Sequence, residues 1–236
     1  MLVQRYVFWS IYYKSRKEVK ILAKLPFKYV VFTDASYKVY DGRGYCGYGV
    51  VVINMKTLCY TEFSGDLSDH TIVFGESWAI MKGVQKAIEL ITRSPHPDGK
   101  VLIVTDSKLC VNILTNYIDR WDTSNWDNWK TLKGKPVKNQ EIYKRVVKLI
   151  QKYPDIQFRI AHMHGHMGKK HEDTIRKDLS KYGIKPTDET VRTFRKMNAK
   201  VDEIAQHSVD RQIKLESQYG TIPIMKRRAS DGSESD

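Results

Sequence analysis

Two kinds of apolar pattern run along this chain, and their order predicts its architecture. Residues 29–34, Tyr-Val-Val-Phe-Thr-Asp, form a short unbroken apolar run that ends in a carboxylate. Such a run, without alternation, reads as a strand covered on both faces, so Asp34 is expected at the strand's end, where the sheet opens to solvent. Residues 37–49 carry glycines at 42, 44, 47 and 49, which suit a hairpin loop and close backbone approach. Residues 50–53 and 58–63 read as two further antiparallel strands joined by a turn at 54–57. From 74 to 91, Trp78, Met81, Val84, Ile88 and Ile91 recur at helical spacing, with Glu76 expected in the first turn, where an acid complements the dipole. Residues 101–107, Val-Leu-Ile-Val-Thr-Asp-Ser, then repeat the opening grammar. Two parallel buried strands ending in Asp at one sheet edge set carboxylates side by side, which is unfavourable unless a cation neutralises them.

Ser107 is expected to cap a helix to about residue 117, with Leu109, Cys110, Ile113, Leu114 and Tyr117 on its inner face. Trp121, Trp126 and Trp129 come next, interleaved with polar residues, and Lys130, Lys133, Lys135 and Lys138 follow in a segment containing Gly and Pro. This mixture suits an exposed surface that receives a nucleic-acid strand, or a small satellite core closed by the tryptophans. A helix over 139–153, a strand over 156–163 and a basic loop over 164–170 complete the pattern. A long helical pattern begins at Asp188 and carries Asp202. At the chain start, Tyr6, Phe8, Trp9 and neighbouring aromatics alternate with Arg and Lys. An extra element packed on the domain is favoured there over an arm lying on nucleic acid. Residues 230–236 are polar and acidic, and are expected to be disordered.

Composition narrows the partner. The 236 residues have a formal charge of +13 at pH 7, which points to a polyanion, nucleic acid or an anionic membrane surface. No apolar stretch approaches the roughly 18 residues of a membrane span, and no signal-peptide pattern opens the chain, so nucleic acid is favoured. Cys46, Cys59 and Cys110 are odd in number and lack metal-ligand spacing, which suggests small core residues and a reducing intracellular compartment, cytoplasm or nucleus. His162, His164 and His166 alternate on one strand face, a zinc-like pattern. No carboxylate or cysteine lies at ligand spacing along the chain, however, so zinc is not expected there.

The element order and six short motifs together resemble the ribonuclease H family, type 1. The motifs are Phe32-Thr33-Asp34-Ala35-Ser36 with Gly47-Tyr48-Gly49, Glu76 opening its helix, Thr105-Asp106-Ser107, the run Gly134 through Asn139, His164-Gly165-His166-Met167-Gly168, and the segment from Asn198 through Asp202 to Ala205. The resemblance covers about residues 28–208. It implies an α/β fold with a five-stranded mixed sheet, three antiparallel strands then two parallel, flanked by helices. It also implies a catalytic domain over 28–215 with an insertion at about 169–190, between an appendage at 1–27 and a tail at 216–236. By the same resemblance Asp34, Glu76, Asp106 and Asp202 hold two Mg²⁺ ions, with Mn²⁺ as a substitute, and Asp34 bridges them. Hard oxygen ligands suit these ions.

The family further implies His166 as an assistant in proton transfer or product departure. Trp121, Trp129, Lys133, Lys135 and Lys138 would contact the DNA strand, and Thr71 and Asn139 would grip a phosphate. Ala35, Ser36 and Asn198 complete the expected nucleic-acid contacts. The implied activity is endonucleolytic cleavage of the RNA strand of RNA–DNA hybrids by a monomer, leaving 5′-phosphate and 3′-hydroxyl ends. Family members carry asparagines shortly before the helix Glu, whereas this chain has Ile72 and Val73. A nuclease of the same fold acting on DNA or structured RNA, and a non-cleaving binding module, are the alternatives.

Overall fold

The computed structural model describes residues 13–14, 25–57, 59–67, 70–121, 124, 126–165 and 172–219. A mixed sheet forms its centre, built from β1 (Tyr13–Lys14), β2 (Tyr29–Tyr40), β3 (Arg43–Asn54), β4 (Cys59–Asp66), β5 (Gly99–Thr105) and β6 (Ile156–His162), in the spatial order β1-β4-β3-β2-β5-β6. The expected five strands are therefore present, three antiparallel and two parallel, and the two-residue β1 extends the edge by pairing with Cys59 and Tyr60. That short pairing is the described part of the segment for which an added element was favoured.

Helices cover both faces: α1 (Ile72–Thr92), the short α2 (Lys108–Asn112) and α3 (Gln140–Lys152) on one side, α4 (Glu172–Lys181) and the 32-residue α5 (Asp188–Tyr219) on the other. The unbroken apolar runs of β2 and β5 follow from this arrangement. Val30, Phe32, Leu102 and Val104 face α4 and α5, while Val31, Val101 and Ile103 face α1. Burial of each such side chain contributes roughly 1.5–3 kcal/mol.

Three local expectations change. First, β2 does not end at Asp34 but continues to Tyr40 and returns as β3 through a turn at Asp41 and Gly42, both at positive φ (49° and 71°). Glycine adopts this left-handed backbone at little cost, and Asp tolerates it. Antiparallel pairing with β3 sustains the arm beyond the core, so Tyr37, Val39 and Tyr40 remain exposed. Second, α1 begins at Ile72 because Thr71 Oγ1 accepts the Phe74 N–H at 3.3 Å. Glu76 therefore falls in the second turn, as a buried residue. Third, the helix after Ser107 stops at Asn112 and continues as a wider turn over Ile113–Tyr117 and a tight one over Ile118–Arg120, leaving Leu109 and Tyr117 exposed instead of inward.

The segment read as an insertion contributes side chains to the core. Ile175 and Leu179 of α4, with Ile184 after it, are buried in the same cluster as Phe32 and Phe194. The 32 residues of α5 run from Asp188 to Tyr219.

Candidate active site

Sheet register places the first two carboxylates. The parallel pairing of β2 with β5 ends at Thr33 opposite Thr105, so Asp34 and Asp106 are the next residues along neighbouring strands. Asp34 is 3% exposed, and its Oδ1 accepts the Ala35 N–H at 2.8 Å. Glu76 reaches the same point from α1, and one carboxylate oxygen from each of Asp34, Glu76 and Asp106 lies within 4.8 Å of the others.

Burial and mutual repulsion act together on this group. Desolvation first, and then the Asp106 charge, raise Asp34 to about 8, against the partial compensation of the Ala35 N–H. Desolvation and then Asp34 push Glu76 well above the usual carboxylate range. Glu76 Oε2 is buried with no hydrogen-bond partner among the described residues. Three converging carboxylates, two of them raised by burial and one of those two, Glu76, with an orphaned oxygen, fit a hard divalent cation, which would satisfy that oxygen and relieve the repulsion.

Asp202 approaches from α5. Across β2 from Asp34 stands Gly49, and a Cβ built there would meet the Val201 carbonyl oxygen at 2.6 Å. Gly47 is similarly close to Ser208. These glycines let α5 lie directly on the sheet, which brings Asp202 to the face that Asp34 occupies. Asp202 lies outside the tightest three-carboxylate set, yet its charge raises Asp34. Gln206 Nε2 donates to both of its oxygens at 2.9 Å. Among the acids between the His loop and Asp202, Asp188 pairs with Arg176 and Asp178 with His164.

A contributor that sequence reasoning missed is Gly165. A Cβ at this position would lie 2.0 Å from Asp106 Oδ2, so the loop after β6 abuts the carboxylate and a side chain there would displace it. The signal was present in the His-Gly-His motif but was attached to its histidines. His166 itself lies outside the described residues.

The expected nucleic-acid contacts divide by exposure. Lys133, Lys135 and Lys138 are exposed, and Thr71 and Asn139 stand at the starts of α1 and α3. Trp121 is half-buried and lines an open groove of about 330 Å³ with Tyr117, Arg120 and Lys133. Trp129 is different: at 2% exposure it packs with Ile113, Val137 and Tyr143, so its ring offers no face to a strand. The satellite-core reading holds for this tryptophan because α3 supplies Tyr143 from a distance in sequence. Lys144 of α3 lies 5.7 Å from the Trp129 ring centroid, and Lys148 lies 4.8 Å from that of Trp126, which adds charge to this region. Ala35 and Asn198 are buried, whereas Ser36 is partly open.

A second cluster forms beside the first. His162 Nε2 is 3.1 Å from the Asp106 carbonyl oxygen, and His164 Nδ1 is 2.7 Å from Asp178 Oδ2. Burial, and then His164, lower the His162 pKa and favour its neutral ring. The carboxylate missing from the linear spacing is thus supplied by α4, 14 residues beyond His164. This revises the premise on which zinc was set aside.

Comparisons with known proteins agree on one relationship. The sequence profile of the RNase H family, described as RNase H, matches residues 26–185. A ribonuclease H of Nitratidesulfovibrio vulgaris (strain DP4) is 30% identical over 162 residues, covering 67% of this chain and 93% of that protein. A ribonuclease H of Tropheryma whipplei (strain Twist) is 32% identical over 80 residues, covering 34% of this chain and 46% of that protein, so the match spans just under half of that relative's length. The crystal structure of prototype foamy virus protease–reverse transcriptase is 22% identical and superposes with a TM-score of 0.53, covering 79% of this chain and 21% of that one. That likeness concerns the fold.

Proposed function

Because the chain belongs to the RNase H family, we propose that it cleaves the RNA strand of RNA–DNA hybrids internally, leaving 5′-phosphate and 3′-hydroxyl ends. The observation that carries this reading is the convergence of Asp34, Glu76 and Asp106 within 4.8 Å, at the end of two paired parallel strands. Asp202 joins them from α5 as the fourth ligand. When bound, two divalent ions, Mg²⁺ with Mn²⁺ as a substitute, supply an activated water and neutralise charge on the leaving 3′ oxygen.

The chain's own residues position and attract. Asp34, fixed by the Ala35 N–H, is the central anchor, and Gly165 keeps the Asp106 carboxylate in place by leaving it room. Exposed Lys133, Lys135 and Lys138 draw the polyanion electrostatically. Thr71 and Asn139 stand at helix starts, a position that suits a phosphate because backbone N–H groups are unpaired there, and this supports their reading as a phosphate grip. Ser36, beside the carboxylates, is suited to contact the ribose of the cleaved strand. His166 takes the role of proton-transfer assistant by resemblance.

One observation favours a second reading, a nuclease acting on DNA or structured RNA. Ile72 is exposed and Val73 half-buried at the start of α1, and neither side chain can hydrogen-bond the 2′-hydroxyl that distinguishes RNA. A labelled hybrid, double-stranded RNA and duplex DNA, each incubated with Mg²⁺ and with EDTA, separate the two readings. Mg²⁺-dependent cleavage of the hybrid alone supports the main proposal. Equal cleavage of another duplex supports the second, and binding to hybrid without cleavage defeats both.

A further inference from the structure

We propose that His162, His164 and Asp178 form a binding site for a transition-metal ion of the Zn²⁺ class, separate from the carboxylate centre and independent of the hybrid-cleavage reading. Three observations support it. One potential ligand atom from each residue lies within 4.8 Å of the others. A tetrahedral site with bonds of about 2.0–2.1 Å sets neighbouring donor atoms roughly 3.3–3.4 Å apart, so only small side-chain movements are needed.

The second observation is the set of outer partners. A carbonyl oxygen only accepts, so His162 carries its proton on Nε2 to bond the Asp106 oxygen, which leaves the lone pair on Nδ1. Metal-bound histidines almost always donate their other ring N–H to such an acceptor, which orients the ring. The backbone is held as well: the His162 N–H donates to Tyr182 Oη at 3.0 Å, and Arg159 Nη1 donates to the Tyr182 carbonyl oxygen at 3.0 Å. Tyr182 follows α4 directly, so the insertion grips the end of β6 at the place where it presents Asp178.

The third is chemical type. Two imidazoles and one carboxylate suit Zn²⁺, and three protein ligands leave a fourth position for water. The neighbouring all-oxygen centre suits Mg²⁺ or Mn²⁺. An ion held by His164 and Asp178 would take the place of their hydrogen bond, with the ring proton moving to the other imidazole nitrogen. Occupancy would also tie α4 to the segment 162–164, which leads into Gly165 and so into the wall beside Asp106.

Co²⁺ provides the test, because tetrahedral Co²⁺ absorbs visibly and Mg²⁺ is silent. The untagged full-length protein is stripped with EDTA, returned to excess Mg²⁺ to fill the carboxylate centre, and titrated with Co²⁺ and then Zn²⁺. The expected result is one equivalent of tetrahedral Co²⁺, displaced by Zn²⁺, in wild type and in Asp34→Asn alike. In His164→Asn and Asp178→Asn, affinity should fall by at least the 10–100-fold typical of losing even an outer-shell partner. Circular dichroism checks the fold of each variant, and His164→Asn leaves α4 unaltered should Asp178→Asn unfold. Absence of a tetrahedral band in wild type, its loss in Asp34→Asn, or wild-type affinity in folded His164→Asn would each overturn the proposal.

Discussion

Replacing Asp34 with asparagine should stabilise the metal-stripped protein, and the size of the effect follows from the burial of this carboxylate. Asp34 rises from 3.8 to about 8 through desolvation and the Asp106 charge. A raised carboxylate favours folding while it is protonated in both states; that advantage is fully present below 3.8 and is lost as pH rises to about 8. At about 1.36 kcal/mol per pH unit, a shift of roughly four units corresponds to about 5–6 kcal/mol above the folded pKa. The asparagine side chain can keep the Ala35 N–H bond and donate to Glu76, but Glu76 and Asp106 still repel, so roughly half, about 2–3 kcal/mol, should be observable. For a chain of this length 1 kcal/mol moves Tm by about 2–4 °C, which gives an increase of about 5–10 °C. Thermal melts in EDTA measure it. The gain should be largest above about pH 8 and shrink toward about pH 5. Excess Mg²⁺ should reduce it by stabilising wild type. A variant that melts below wild type at about pH 8 in EDTA, or a gain that does not change with pH, would refute this reasoning.

Four further outcomes follow from particular contacts. Gly165→Ala should reduce cleavage by on the order of 100-fold, since a displacement of about 1 Å at a reacting group has that effect, and steady-state rates check it. Trp129→Ala should cost about 3–5 kcal/mol of stability in urea melts, as expected for a buried aromatic, whereas an effect on hybrid affinity alone would restore it to the binding surface. Leu179→Ala should cost about 2–5 kcal/mol; an unchanged midpoint would make α4 a detachable lid. Neutralising Lys133, Lys135 or Lys138 should weaken hybrid binding and reduce the slope of log affinity against log salt by about one each, and an unchanged slope would remove that lysine from the phosphate contacts.

The parts of this molecule that were legible in the sequence are those whose causes are local. The runs before Asp34 and Asp106 are apolar because each strand is covered on both faces, and their shared ending predicts adjacent carboxylates without knowledge of the helices. The reach of β2 beyond Asp34 was not legible, because pairing with β3 sustains it and the exposed Tyr37 to Tyr40 arm carries no burial pattern. Trp129 was ambiguous for a similar reason: tryptophans among lysines describe a stacking surface and a small core equally well, and Tyr143, which decides the matter, lies on another helix. The second cluster was hidden by distance in the chain. His164 meets Asp178 only because α4 folds back onto the end of β6, a tertiary event that ligand spacing cannot express. Gly165 shows the reverse case, a visible residue whose purpose appeared only with the carboxylate beside it.

Asp34, Glu76, Asp106 and Asp202 are proposed to form a metal-dependent centre that cuts RNA in a hybrid. This proposal is tested most directly by incubating an end-labelled RNA–DNA hybrid with wild type and with Asp106→Asn, in Mg²⁺ and in EDTA, and analysing the ends of the products. Internal RNA cuts bearing 5′-phosphates and 3′-hydroxyls are expected with wild type in Mg²⁺ only, and intact RNA with a folded Asp106→Asn protein. Wild-type cleavage in EDTA, or undiminished cleavage by Asp106→Asn, would contradict it.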